Sequence, residues 1–253
     1  MKIILSRKGF DYSSGGRPSI KNGDCLISIP IPDFIDKVPY KTLNNGGFVK
    51  SVLNAFKGKK LNNEDRQFLG QMELSYCHPD PNITDYFNLG EEFQGSIGLT
   101  RTPAYLKGGK IEIDDIFLFF GIFKDVEEKT IHYSIWGYLE VGKALCPEKM
   151  NDLQESDRIE LLRITGNPHL INQNYEHETG NAVYIAKKNC CGVFKYNPEL
   201  ELLDNKGEYK HDCLKKNLPS IKGRGQDYVL HGEAAAKWAN YLIETFANKK
   251  QMN

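Results

Sequence analysis

One stretch of the chain constrains its fold more than any other, the run IFLFFGIF at 116–123. Its residues are apolar at both odd and even positions, which is typical of a strand buried on both faces in the centre of a sheet. An aromatic and β-branched segment follows at 132–141, after a short polar loop at 124–130. Two such segments joined by a short polar loop predict a β-hairpin. We expect this hairpin to form the centre of a sheet.

Shorter elements surround the predicted hairpin, and hydrophobic periodicity assigns them. Strands are predicted at 2–5, 25–29, 182–186 and 192–194, an extended piece at 225–228, and helices at 48–56, from 63–65 and at 232–249. In the last helix, Trp238, Tyr241, Leu242 and Phe246 share one face. The fold class predicted is α+β (mixed α/β): a single domain, 1–253, with a β-rich central mixed sheet and flanking helices, including a C-terminal helix.

Charge and cysteine content narrow the class of protein. The 33 Lys and Arg residues balance 33 Asp and Glu residues, so the chain lacks the basic excess usual in a protein dedicated to binding the phosphate backbone. A basic stretch at 206–224 leaves room for local contact with a polyanion. The six cysteines fit neither a zinc ribbon nor a disulfide scaffold, and the apolar runs are too short to span a bilayer. We expect a cytoplasmic protein without a membrane partner.

The loop after the first predicted strand combines cations with glycines. Arg7, Lys8, Gly15, Gly16 and Arg17 lie where a strand ends, a position at which α/β folds often bind ligands. Consecutive glycines let backbone N–H groups approach an anion, and a guanidinium can clamp a phosphate. The loop therefore predicts a phosphate-binding element, and a Gly-rich surface turn with solvated charges is the structural alternative.

A second candidate is the motif HPDPN at 78–82. On an extended segment, positions i and i+2 face the same side, so His78 and Asp80 can act together as an acid/base pair or as metal ligands. His169 and Asp11 are the other candidate catalytic groups. The structural alternative is a proline-rich turn in which the Asp binds the backbone.

Amide and aromatic side chains elsewhere fit a nucleobase. Asn181 and Tyr184 flank a predicted strand, and Gln226 begins the last extended piece. An amide can read the edge of a base, and an aromatic ring can stack on its face. The same residue types also serve as structural hydrogen-bonding groups and core rings.

Taken in order, these segments resemble the nucleotide-modification-associated domain family, type three. The most specific match is MKIILSRKGFD at 1–11, followed by SIPIP at 28–32 and HPDP at 78–81. Further matches are DIFLFFG at 115–121, GYLEVG at 137–142, Pro168 with His169, Asn181 with Tyr184 and Ala186, Gly192 with Phe194, Leu218 with Pro219, and GQDYV at 225–229. The resemblance spans nearly the whole chain.

The resemblance implies a protein of phages and bacteria associated with hypermodification of DNA bases, with a nucleotide or DNA base, or DNA itself, as its partner. It supplies no reaction, cofactor or oligomeric state. Asn82 stands where the family has Asp, and Asn167 stands where it has a second His beside His169. Because these departures remove potential ligands, no metal is predicted.

Two classes of function follow. The first is an enzyme, a transferase or hydrolase acting on a nucleotide or DNA base, with Asp11, His78, Asp80 and His169 as catalytic groups. The second is a non-catalytic nucleotide- or nucleic-acid-binding module of a phage or defence system, a class that includes recognition of modified DNA through a protein partner. Clustering of the four catalytic candidates in one pocket would favour the enzyme.

Overall fold

The structure is a computed structural model that describes residues 1–12, 16–33, 35–72, 74–82, 95–99, 111–145, 154–155, 167–171, 181–218 and 227–247. Its strands are β1 (Ile3–Arg7), β2 (Ser19–Asn22), β3 (Cys25–Ile27), β4 (Ile31–Pro32), β5 (Val38–Pro39), β6 (Tyr76–His78), β7 (Ser96–Leu99), β8 (Ile116–Asp125), β9 (Ile131–Leu145), β10 (Ala182–Val193) and β11 (Asp227–Leu230). The α-helices with bounds in the described residues are α1 (Gly47–Phe56), α2 (Asn63–Met72), α3 (Pro168–Ile171), α4 (Asp212–Asn217) and α5 (Glu233–Phe246), and 3-10 helices span Tyr40–Gly46 and Pro198–Leu200. The α+β class is confirmed.

The predicted hairpin is the centre of the main sheet. Strands β8 and β9 pair antiparallel from Lys124↔Ile131 to Ile116↔Glu140, and the order of the main path is β11-β1-β8-β9-β10-β7. Strands β1 and β2 both run parallel to β8, one beside each half of it. A smaller sheet has the order β4-β6-β5. The mixture of parallel and antiparallel pairs confirms the predicted mixed sheet.

The two faces of the main sheet bury different partners. Side chains alternate between the two faces along β1 and β8. On one face, Leu5, Leu118 and Phe120 pack in a cluster that includes Ala235 and Leu242 of the C-terminal helix α5. The opposite face carries a second cluster, whose buried members come from β1, β7, β8, β9 and β10 together with Ile111. Strand side chains therefore pack on one another across this face.

The main sheet curls so that its two sides approach each other. In a flat sheet, β1 and β7 would lie about 19 Å apart, because four spacings of about 4.8 Å separate them. Yet Asp80 accepts hydrogen bonds both from Gly98 N in β7, at 2.7 Å, and from Lys8 Nζ, just after β1, at 2.8 Å. One carboxylate thus bridges strands that the sheet order separates.

A third core lies beneath the small sheet. Helix α1 buries Phe48, Val52 and Phe56 there, and Phe10 from the N-terminal loop joins them. The predicted helices at 48–56 and from 63–65 are confirmed as α1 and α2.

Several boundaries differ from those predicted. The two short strands predicted at 182–186 and 192–194 are one strand, β10, whose ladder with β9 is interrupted after Ala186 and resumes at Cys191. The predicted strand at 25–29 ends at Ile27, and the unpredicted strand β2 pairs with it. Helix α5 ends at Phe246, and Tyr241 is exposed rather than part of the buried stripe. No helix within these described ranges has both the length and the apolar character needed to cross a membrane.

Candidate functional site

Two histidines meet at the centre of the candidate site. His78 is the last residue of β6, and His169 lies in the short helix α3. Their Nε2 atoms are 3.2 Å apart, and the rings meet edge to face with centroids separated by 5.0 Å. One ligand atom of Asp80 also lies within 4.8 Å of one from each histidine. We call these three residues the His78–His169–Asp80 centre.

The outer nitrogen of each histidine is held by an oxygen. His78 Nδ1 contacts Oδ2 of Asp36, and His169 Nδ1 lies 3.0 Å from Oδ1 of Asn181. The Asn181 amide cannot be reversed without loss, because its Nδ2 donates to the carbonyl oxygen of His169 at 3.2 Å. Both partners are therefore acceptors, so each ring carries a proton on Nδ1 and directs Nε2 into the centre.

Asp80 is held by three donors. Its Oδ1 accepts from Gly98 N at 2.7 Å and from Asn167 Nδ2 at 3.1 Å, and its Oδ2 accepts from Lys8 Nζ at 2.8 Å. A carboxylate offers two lone pairs on each oxygen. Donors in the described part of the chain thus fill both positions of Oδ1 and one of the two positions of Oδ2.

Strand β7 forms one wall of the centre because its side chains alternate. Ile97 and Leu99 point into the core, while Gly98 lies directly against the ring of His169. A Cβ atom at position 98 would be 2.1 Å from Cδ2 of that ring. Only glycine at this position leaves room for the imidazole.

Buried charges shift the ionisation of these groups. Burial alone would raise the pKa of Asp80, but Lys8 and the two histidines outweigh it and lower the pKa to about 2. Burial alone would lower the pKa of Lys8, and the carboxylates of Asp80 and Asp227 raise it instead. Burial lowers the pKa of His169, which favours its neutral imidazole. Burial raises the pKa of Asp227, and the negative charge of Asp80 acts in the same direction.

His78 is the most exposed residue of the centre. The side chain of His78 is 16% exposed, that of Asp80 is 2% exposed, and His169 is buried. A molecule arriving from solvent therefore meets His78 first.

The remaining residues predicted to bind or react have other contacts. Arg7 forms an ion pair with Asp11 at 2.9 Å, and Tyr184 packs in the core with its ring centroid 5.6 Å from that of Phe117. Gly16 adopts a left-handed conformation at φ 76°, before Arg17. Gly15 and Gln226 lie outside the described residues.

Arg17 is anchored from two directions. Its Nη2 lies 2.9 Å from Oδ1 of Asp65, and its guanidinium carbon lies 4.2 Å from the centroid of the Phe68 ring. The ion pair and the cation–π contact connect the N-terminal loop to helix α2.

Three residues that contact the centre were not among the predicted site residues. Asp36 gives no signal in the sequence, because it lies in a short loop without a recognisable motif. Asn167 was noted only as a departure from the family pattern, yet it donates to Asp80 and accepts from the backbone N–H of His169 at 3.0 Å. Gly98 could be recognised only once its neighbour was known.

The comparisons with known proteins agree with the resemblance drawn from the sequence. The family model described as nucleotide modification associated domain 3 matches residues 2–250. Neither the curated proteins nor the solved structures give a match to this chain. The family's description associates the domain with nucleotide modification. Because the match covers nearly the whole sequence, the chain belongs to the nucleotide modification associated domain 3 family.

Proposed function

We propose that this protein is an enzyme that modifies a nucleotide or a DNA base at the His78–His169–Asp80 centre. Membership of the nucleotide modification associated domain 3 family supports a role in nucleotide modification. The observation that carries the proposal is the convergence of these three side chains: His78 and His169 are 91 positions apart in sequence, yet their Nε2 atoms lie 3.2 Å apart.

Partners around the centre support a reactive role. Asp36 and Asn181 orient the two rings, and Lys8 neutralises Asp80. Functional groups held by neighbouring hydrogen bonds are pre-organised, which is what a catalytic centre requires. In this proposal the substrate approaches the centre from the side of His78, its most exposed member.

The phosphate of the substrate is assigned to the N-terminal loop. Residues adjacent on an extended segment point to opposite sides, so Lys8 enters the centre while Arg7 points away from it. Arg7 already pairs with Asp11, and an arriving phosphate has to compete with that carboxylate. Arg7, Gly15, Gly16 and Arg17 stay the predicted phosphate-binding residues, and Asn181 contributes to the centre through His169.

A free nucleotide or a single displaced base suits this centre better than a base stacked in a duplex. The reactive atoms of a stacked base are inaccessible, and flipping the base costs a few kcal/mol. The balanced charge of the chain provides little compensating attraction to a duplex.

Detection of a modified nucleoside tests the proposed function. The full chain and its His169→Ala variant are expressed in the same bacterial host, and cellular DNA and the nucleotide pool are digested to nucleosides for mass spectrometry. We expect a nucleoside of new mass in cells with the wild-type protein and its absence with the variant, at equal levels of folded protein.

A non-catalytic binding module gives a different outcome. In that case the nucleoside profiles of the two strains are identical, while the purified wild-type protein still shows a thermal shift with mononucleotides. That combination would reject the enzyme and retain nucleotide binding.

A further inference from the structure

We infer that the His78–His169–Asp80 centre is a binding site for a divalent first-row transition-metal ion such as Zn²⁺ or Fe²⁺. The ligand atoms are Nε2 of His78, Nε2 of His169 and Oδ2 of Asp80. This assignment reverses the expectation drawn from Asn82 and Asn167, and it stands on the hydrogen bonds around the three side chains.

The first step is the direction of the two imidazole lone pairs. Asp36 and Asn181 each present an oxygen to Nδ1 of a histidine, so both Nδ1 atoms carry the proton. A neutral imidazole protonated on Nδ1 has its lone pair on Nε2. The two Nε2 lone pairs therefore face the same space with their nitrogen atoms 3.2 Å apart, and they repel each other unless a proton or a metal ion lies between them.

The second step is the distance. Zinc–nitrogen bonds are about 2.0–2.1 Å long, which places two ligands of a tetrahedral ion about 3.4 Å apart. The observed separation of 3.2 Å is close to that value. The rings are thus already spaced as two ligands of one ion.

The third step is the carboxylate. A ligand atom of Asp80 lies within 4.8 Å of a ligand atom of each histidine. Among the described residues, Lys8 is the donor to Oδ2 of Asp80, so one lone pair of that oxygen is left for an ion. Asp36 and Asp80 together bring two negative charges against the single positive charge of Lys8. This excess of negative charge attracts a cation to the centre.

The residues around the centre match the usual surroundings of metal ligands. A histidine that binds a metal through one nitrogen commonly donates from the other to a carboxylate or a carbonyl oxygen, and ligating carboxylates are themselves hydrogen-bonded. Asp36, Asn181 and Asn167 fill those positions here. By contrast, His132 uses both ring nitrogens on ordinary partners, Thr130 at 2.9 Å and Glu201 at 2.7 Å.

The donor set indicates the class of ion. Two imidazoles and one carboxylate suit Zn²⁺ and Fe²⁺, whereas Mg²⁺ and Ca²⁺ favour sites built from oxygen. Three protein ligands leave positions open for water or substrate, as in catalytic rather than structural sites. The inference holds whether or not the substrate is a nucleotide, so it is tested separately from the proposed function.

Metal binding by the purified full chain provides the test. The protein is treated with a chelator, freed of it, and titrated with Zn²⁺ in a calorimeter and with Co²⁺ by visible absorption. We expect one equivalent to bind. His169→Ala and Asp80→Asn should each weaken binding at least about tenfold, since even residues that only hold a ligand in place contribute 10- to 100-fold to affinity.

A neighbouring group provides the matched control. Asp33, Asp36 and His78 form a second set of potential ligands that shares His78 but not His169 or Asp80. Asp33→Asn should leave affinity within about twofold of the wild type. If Asp33→Asn abolishes binding while His169→Ala retains it, the ion belongs to that second set and the inference is overturned.

Titration of the wild-type protein decides the question even if a variant does not fold. Circular dichroism and melting curves show which variants are folded, and only those are compared. If the folded wild-type chain binds neither Zn²⁺ nor Co²⁺, the centre is not a metal site. A nucleoside product without metal binding would then support the proposed function alone, and metal binding without a product would support this inference alone.

Discussion

Lys8 and Asp80 form an ion pair of 2.8 Å that joins the end of β1 to the segment after β6. The same carboxylate accepts from Gly98 in β7, so it connects strands that lie far apart in the order of the sheet. The side chains of Lys8 and Asp80 are only 14% and 2% exposed. Removing either partner would leave an uncompensated charge in the interior.

Asp80→Asn should therefore lower the free energy of unfolding by about 3 kcal/mol or more, the usual cost of breaking a buried pair. Lys8→Met should act similarly, and the double variant should lose less than the sum of the two. Urea denaturation measures all three. Glu127→Gln, which removes the exposed partner of Lys59, is the control and should cost less than about 1 kcal/mol. Additive effects of Lys8→Met and Asp80→Asn would contradict the coupling.

Gly98→Ala should disrupt the centre without removing any donor or acceptor atom. The added methyl group would overlap the His169 ring, and crowding of this kind costs about 1–3 kcal/mol in a packed site. Gly70→Ala is the matched control, because that position lies in α2 with open space around it. Gly70→Ala should leave the free energy of unfolding unchanged or raise it by up to about 1 kcal/mol. Equal melting temperatures for Gly98→Ala and Gly70→Ala would show that the His169 ring does not lie against position 98.

Asp125 should make the hairpin sensitive to acid. Its Oδ1 accepts from the backbone N–H groups of Glu127 and Glu128 at 2.7 and 3.0 Å, and its Oδ2 accepts from Lys21 at 2.5 Å. Burial alone would raise the pKa of Asp125, but these donors outweigh it and lower the pKa.

Because the pKa in the folded state lies below the unfolded value of about 3.9, the stabilisation is complete above that pH. It is lost as the pH falls through the folded pKa. Asp125→Asn should thus be less stable than the wild type at pH 7, and the difference in melting temperature should shrink below about pH 4. A difference that stays constant down to pH 2 would show that the charge of Asp125 does not stabilise the fold.

Nucleotide binding should be more selective than duplex binding. With 33 basic and 33 acidic residues, the chain has no general attraction for the phosphate backbone. Titration with a mononucleotide, a single strand and a duplex at two salt concentrations should rank the mononucleotide or single strand first, and Arg7→Ala should weaken that binding. Tight duplex binding with a steep salt dependence, unchanged in Arg7→Ala, would point instead to the basic stretch at 206–224.

Local pattern alone predicted much of the fold. The apolar run at 116–123 and its aromatic neighbour became the central hairpin, and periodicity located α1, α2 and α5. In each of these elements the apolar residues recur within one short segment at the spacing of a strand or a helix, so the segment itself carries the signal. Where a strand crosses a polar stretch, as β10 does at 187–190, the local signal fails, because pairing with β9 on both sides of that stretch, and not composition, joins the two halves of the strand.

The same distinction applies to the site. The sequence alone singled out His78, Asp80 and His169, because their residue types carry chemistry and prolines flank them. Only the tertiary structure showed that Asp36, Asn167 and Gly98 contact these residues. Asp36 binds His78 although the two are 42 positions apart in the sequence. A carboxylate, an amide and a glycine are common residues whose roles depend on what lies beside them. What lies beside them is decided by the curl of the sheet, which brings the end of β1 and the last strand β7 within reach of a single carboxylate.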